Sequence, residues 1–145
     1  MAAIVERALR LWIQPVPSAD DGVAAFRTVY ADPLVVNGIE TPLVELVERA
    51  RILQRALEPL NCEIFEQFDA PGRAAFAFRL YGRHVGPLAT PLGELAATGR
   101  ELEMRGMDIF EVDDGSIIAV WAVADWLTSL SAVGGLALAR RHAPT

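Results

Sequence analysis

The period of apolar residues changes once along this chain, at Pro59, and the change sets the order of its elements. Before Pro59 the spacing is helical. Ile4, Val5, Ala8, Leu9 and Trp12 fall on one face of a first helix, which Pro15 and Pro17 end. Ser18 caps a second helix, with Asp20 and Asp21 in its first turn, where the dipole favours anions, and Val23, Phe26 and Tyr30 as its buried side. A short extended piece over 34–37 is stopped by Gly38. Thr41 as N-cap and Pro42 at the first helical position open a third helix, striped by Leu43, Leu46, Val47, Ala50, Leu53 and Leu57. After Pro59 the period is two. A strand over 62–68 turns at Asp69-Ala70-Pro71-Gly72 into a strand over 74–84, which separates Phe76, Phe78, Leu80 and His84 from Arg79, Tyr81 and Arg83. A glycine- and proline-rich loop, 86–99, leads to a third strand over 100–112. That strand sets Leu102, Met104, Asp108 and Phe110 against Glu101, Glu103, Arg105 and Glu111. A tight Asp113-Asp114-Gly115 turn pairs it with the last strand, where strict alternation puts Ile117, Ala119, Trp121, Val123 and Asp125 on one face. Helices first and an antiparallel sheet last is the α+β class.

Composition narrows the function. With 145 residues the expectation is a single domain, 1–145, long enough for a real core. A hydrophobic share of 52% against 22% charged argues against disorder. The net charge of −6 argues against nucleic acid as a partner, because phosphate binding needs clustered cations. All 13 basic residues are arginine, so no Schiff-base lysine exists. The single Cys62 allows neither an internal disulfide nor a cysteine-built zinc site, which suits a reducing, cytoplasmic interior. The N-terminus lacks the basic and long uncharged regions of a signal peptide. Between Ser116 and Ala139 the only charge is Asp125, and Arg140 and Arg141 follow, so hydropathy alone would suggest a membrane span. The turn before the run, its β-branched and aromatic start, and the cost of about 2.5–3.5 kcal/mol for a carboxylate at mid-bilayer favour a buried strand and a short helix.

Three titratable groups sit on apolar faces: His84, Asp108 and Asp125. A desolvated carboxylate has a raised pKa and can act as general acid or base near neutrality. Each residue also has a structural alternative. Asp125 can cap the helix that starts at Trp126, Asp108 can be the buried partner of Arg79 or Arg105, and His84 can be a core histidine or a loop anchor. The chain has no GxSxG, HExxH, P-loop or GxGxxG arrangement. With two histidines, one of them His142 in the tail, a metal site is not expected.

From Tyr81 onward the sequence resembles the SnoaL-like polyketide cyclases of the nuclear-transport-factor-2-like superfamily. The likeness is carried by Gly82-Arg83-His84-Val85-Gly86, Ala97-Thr98-Gly99-Arg100, Gly106-Met107-Asp108-Ile109-Phe110, Asp114-Gly115-Ser116-Ile117 and Trp121-Ala122-Val123-Ala124-Asp125, in order. Tyr30-Ala31-Asp32 with Asn37-Gly38 adds an N-terminal match. The resemblance implies a cone-shaped barrel: a curved antiparallel sheet round an apolar pocket, closed by N-terminal helices, and a homodimer formed through the sheet. It implies cofactor-free chemistry in which Asp125, matching the aspartate of W-x-x-x-D, is the acid/base of an intramolecular aldol closure, the conjugated substrate stabilising its own enolate. Asn37 falls where those cyclases have a pocket-facing asparagine. The chain departs from the cyclases in offering Asp108 or Glu111 where they use a third-strand histidine, and Asp108 is nearer the small hydroxylation proteins of anthracycline pathways. Epoxide-opening relatives pair arginine with two aspartates; Arg79 and Asp125 fit, but Tyr81 stands where the second acid is expected.

Two functions of different kind are therefore expected. In the first, the protein is an enzyme for a hydrophobic polyketide-type molecule. Asp125 moves the proton, Asp108 and His84 orient the substrate, Asn37 and Arg79 bind it, Trp121, Phe76, Phe78 and Phe110 line the pocket, and the 86–99 loop gates it. In the second, it is a non-catalytic ligand carrier or a dimeric interaction module. A cavity of roughly 300 Å³ or more holding two carboxylates favours the enzyme; a cone filled with side chains favours the module.

Overall fold

The computed structural model describes residues 1–139; Arg140, Arg141 and His142 lie outside them. The N-terminal part runs α1 (Ala2–Ile13), α2 (Ala19–Phe26), β1 (Tyr30–Val36), β2 (Ile39–Thr41) and α3 (Leu43–Ala56). Then come β3 (Leu57–Ala70), β4 (Arg73–His84), the short β5 (Leu88–Thr90) and β6 (Gly93–Leu95), β7 (Glu101–Asp113), β8 (Ser116–Ala124) and α4 (Trp126–Ala132). Six strands form one curved sheet in the order β2-β1-β8-β7-β4-β3, and α1, α2 and α3 cover its concave face. The α+β class and the helix-closed curved sheet are as expected. One pair differs. β1 runs parallel to β8, so the sheet is mixed.

Local chemistry explains most boundaries. Ser18 accepts the Asp21 amide and so starts α2. Thr41, however, does not cap α3: its hydroxyl donates to the Ile39 carbonyl. The Leu43 amide is instead accepted by Asp32 Oδ1 at 3.0 Å, and Asp32 Oδ2 takes the Arg27 guanidinium at 2.9 Å. These two partners hold the Asp32 carboxyl below its usual range. The cap thus comes from another strand, beyond the reach of a local reading. Asn37 and Gly38 both have positive φ (51° and 81°), as a two-residue hairpin turn between Val36 and Ile39 requires. The 86–99 segment is not an open loop. Its β5–β6 hairpin lies against the end of α3 and buries Leu88 beside Ala56, Leu57 and Leu102.

The largest departure from simple alternation is in β8. Val112 pairs with Ile117 and Glu111 with Ala119, so Ile118 is an extra residue, a β-bulge. A one-residue slip moves every later side chain to the opposite face. Ile117 is buried, but beyond the bulge Val120, Ala122 and Ala124 point inward. Trp121 and Val123 turn out, 57% and 73% exposed. Next to them on the convex face stand Met107 and Ile109, with Ile39 and Phe68 exposed on the edge strands. No helix of the described residues is long and apolar enough to cross a membrane.

At Gly82 the irregular start of β3, between Glu58 and Asn61, lies so close to β4 that an added Cβ would overlap the Pro59 carbonyl oxygen and sit 3.3 Å from Leu57 Cβ. Gly82→Ala is expected to lower stability by about 2 kcal/mol or more, read as a fall in the denaturation midpoint. An unchanged midpoint would refute that close approach.

Candidate active site

The concave side of the sheet holds an apolar cavity of about 230 Å³, partly open to solvent, between α1, α3 and the inner faces of β1, β4, β7 and β8. Phe78, Met104, Phe110 and Val120 form much of its floor, and Leu9, Trp12 and Leu46 cover it. Ala122 and Ala124, the small inward residues of β8, leave the space that larger side chains would fill. One acid faces this cavity. Asp108 lies on β7 with Phe76 opposite on β4 and Ala122 opposite on β8, so neither neighbouring strand offers it a polar side chain. Burial pushes its carboxyl up to about 7.

Two further groups surround it that the sequence did not single out for chemistry. Tyr30 begins β1 rather than ending α2, is buried, and its hydroxyl oxygen accepts the Trp12 indole N–H at 3.0 Å. Burial raises the phenol well above its ordinary value, against the Trp12 bond, and the charge of Asp108 adds to the rise. With its oxygen already accepting, the phenol has its O–H left to donate. Cys62 of β3 packs against the same core, and burial pushes its thiol up to about 11, with Asp108 again adding. It is a thiol, not a thiolate nucleophile. The signal that could have found Tyr30 is its place beside Ala31-Asp32, but its helical spacing from Phe26 assigned it to α2.

The other expected site residues are placed differently. Asp125 does not enter the cavity. Its carboxylate caps α4, accepting the Thr128 amide at 3.1 Å and hydroxyl at 2.7 Å, and these two bonds lower its pKa. The bulge in β8 is the reason: it reverses the alternation that put Asp125 with the inner face. Trp121 is turned outward by the same slip and lines no inner pocket. Asn37 holds the hairpin turn to β8, Oδ1 accepting the Ala122 amide at 2.8 Å and Nδ2 donating to its carbonyl at 3.3 Å. Arg79 is on the convex face, bonded to Glu63 at 2.7 Å and stacked 4.2 Å from the Tyr81 ring centroid. Arg105 pairs with Glu103 on that face too, so neither arginine partners Asp108. His84 is fully buried at the far end of β4, outside the cavity. Its Nδ1 accepts the Thr98 amide at 3.2 Å and lies 3.0 Å from the Thr98 hydroxyl, which anchors the 98–100 turn. The 86–99 segment, expected as a gate, contributes no wall to the cavity. Phe78 and Phe110 do line it, and Phe76 packs behind them, 4.9 Å from Phe110 between ring centroids.

Arg79 and Asp125 do border one common depression of about 600 Å³, on the convex face. It is larger and lined mainly by charged and polar side chains, and both residues already have partners there. The epoxide-opening arrangement therefore lacks free groups. The inner cavity falls between the two expectations, since it is smaller than roughly 300 Å³ and holds one carboxylate instead of two. Among the described residues no three metal-ligating side chains converge.

The family model of SnoaL-like polyketide cyclases matches residues 18–133. No curated protein matches the chain. Among solved structures the fold is similar to TsrD from Streptomyces laurentii, with a TM-score of 0.73, 20% identity, and 94% of this chain and 98% of that one covered. It is similar to AclR from Streptomyces galilaeus, proposed to be a hydroxylase (TM-score 0.72, 16% identity, 94% and 96% covered). It is also similar to IdmH from Streptomyces antibioticus, proposed to be a polyketide cyclase (TM-score 0.68, 18% identity, 92% and 97% covered).

Asp108 binds a proton in the folded state at pH values where the unfolded chain has lost it, from about 4 to about 7. Stability therefore falls as pH rises through that window. Asp108→Asn, which keeps the shape and removes the charge, is expected to stabilise the protein above pH 7 by up to about 4 kcal/mol and by much less near pH 4. Denaturant titrations at the two pH values check this; equal effects at both would show that the carboxyl is solvated.

Proposed function

The chain belongs to the SnoaL-like polyketide cyclase family, and from that premise we propose that it is a single-domain enzyme that closes a ring in a hydrophobic polyketide-type substrate. The observation that carries this reading is Asp108, a carboxyl held near neutrality inside an apolar cavity. A base with such a pKa is half ionised at about pH 7, where proton transfer is most effective. Asp108 takes a proton from a methylene between two carbonyls of the substrate. The enolate carbon attacks a further carbonyl of the same substrate, a C–C bond forms as that C=O π bond opens to an alkoxide, and the proton returns to the alkoxide oxygen. Tyr30, its oxygen already accepting from Trp12, donates its O–H to the carbonyl oxygen as charge develops there. The substrate's conjugation delocalises the enolate, so the step calls for no cofactor. Asp108 takes the part that the resemblance gave to Asp125, because Asp125 is spent on α4.

Benzoylacetone, an aromatic 1,3-diketone, tests the first half of the reaction. Its methylene protons exchange with deuterated water, and NMR follows the rate. The protein is expected to accelerate exchange with a rate that rises with pH and levels above about 7, because the ionised carboxylate is the active form. Asp108→Asn is expected to lose about 10²-fold or more, and Asp125→Asn to keep the wild-type rate. Acceleration that survives Asp108→Asn would remove Asp108 as the base.

The convex face supports the second part of the proposal, a homodimer. Trp121, Val123, Met107 and Ile109 present adjacent apolar side chains to solvent, an arrangement that marks an interface. Its occupant is a second copy, paired about a twofold axis. Light scattering is expected to give twice the monomer mass for the wild type and the monomer mass for Val123→Glu. A monomeric wild type at micromolar concentration would count against it.

A further inference from the structure

We infer that the ligand of the inner cavity carries a carboxylate, and that Arg49 of α3 holds it at the cavity's solvent side. The inference rests on the reading of that cavity as the ligand site and adds the substrate class. Its walls are apolar apart from a few groups, and Arg49 is the one cation among the described residues that borders them. On α3 it lies three residues after Leu46 and four before Leu53, both of which line the cavity, so it belongs to the same helix face. It is also exposed, which puts its guanidinium where the cavity meets water.

The usual reason for a surface arginine is absent here. Among the described residues Arg49 makes no ion pair. The nearest acid in sequence, Glu48, is held by Arg51 at 3.4 Å and Arg55 at 3.0 Å. Glu45, one turn earlier, is beyond pairing distance. Arg7, Arg83 and Arg100 also lack carboxylate partners among the described residues, but none of them borders the cavity. A planar guanidinium with free donors at the rim of an apolar cavity is complementary to an amphipathic acid, with the hydrocarbon inside and the carboxylate at the fork.

Size narrows the class further. An apolar cavity of roughly 150 Å³ takes one benzene. About 230 Å³ therefore suits two fused rings or their acyclic equivalent. A larger polycycle would have to extend past Arg49 into solvent. The ligand class is thus an acid of about two-ring size, its reacting carbonyls turned to Asp108 and Tyr30.

Calorimetric titration with 2-naphthoic acid and with its neutral methyl ester tests this at about pH 6. There an aryl acid is ionised while Asp108 is largely protonated. The wild type is expected to bind the acid about threefold to tenfold more tightly than the ester, with the preference shrinking as salt is added. Arg49→Gln is expected to abolish the preference while still binding the ester, and Arg49→Lys to keep part of it. Circular dichroism confirms that the variants are folded. If the wild type binds both ligands equally, or if Arg49→Gln keeps the preference, the carboxylate anchor is overturned and the cavity reading stands. If the wild type binds neither ligand, both fall together.

Discussion

A single extra residue in β8 decides which side of the sheet becomes a site. Before Ile118 the strand is in phase with its neighbours; after it every side chain faces the other way. The slip brings Val120, Ala122 and Ala124 inside, and their small size leaves the cavity over Asp108 unfilled. It also sends Trp121 and Val123 to the convex face. Without the bulge, two large side chains would occupy the space the cavity now holds. The strand would also deliver Asp125 from the inner face. Cavity, convex patch and the capping of α4 therefore share one cause.

This is also where the sequence was hardest to read. Turns and periods are local, and they were legible: the switch at Pro59, the Asp114-Gly115 turn, the Ser18 cap and the inward row Leu102, Met104, Asp108 and Phe110 all appear in the structure. A bulge is settled by pairing with another strand, and nothing inside the segment 116–124 announces it. The same applies to the α3 cap, supplied by Asp32 from β1 across eleven positions, and to the parallel pairing of β1 with β8. Of the site, Asp108, Phe78 and Phe110 were legible from alternation. Tyr30 was not, because helical spacing from Phe26 is indistinguishable from a first strand residue. Motif order identified the family correctly and still gave Asp125, Asn37 and Arg79 roles that their contacts do not support.

The surviving site separates two demands. Burying a carboxyl among aromatic and aliphatic side chains costs stability whenever it is charged, and among the described residues the fold accepts that cost at Asp108. Elsewhere the ionised groups lie toward the surface, some of them paired, as Glu63, Arg79, Glu103 and Arg105 are on the convex face. Among the described residues an acid that is both desolvated and unpaired is the exception, which sets Asp108 apart from the more numerous exposed carboxylates.

The parallel pair has a consequence for how the chain is made. Asn37 grips the backbone of Ala122, 85 positions later, and the amide of Asn37 itself donates to the Val120 carbonyl. The β1–β2 hairpin thus borders the sheet through the last strand to leave the ribosome. β3, β4 and β7 can zip together as successive antiparallel neighbours while synthesis continues. The N-terminal hairpin has to wait, its edge unpaired, until residue 124 has emerged. The first strand is in this sense the last to be docked, and loss of β8 would leave the β1–β2 hairpin without its place in the sheet.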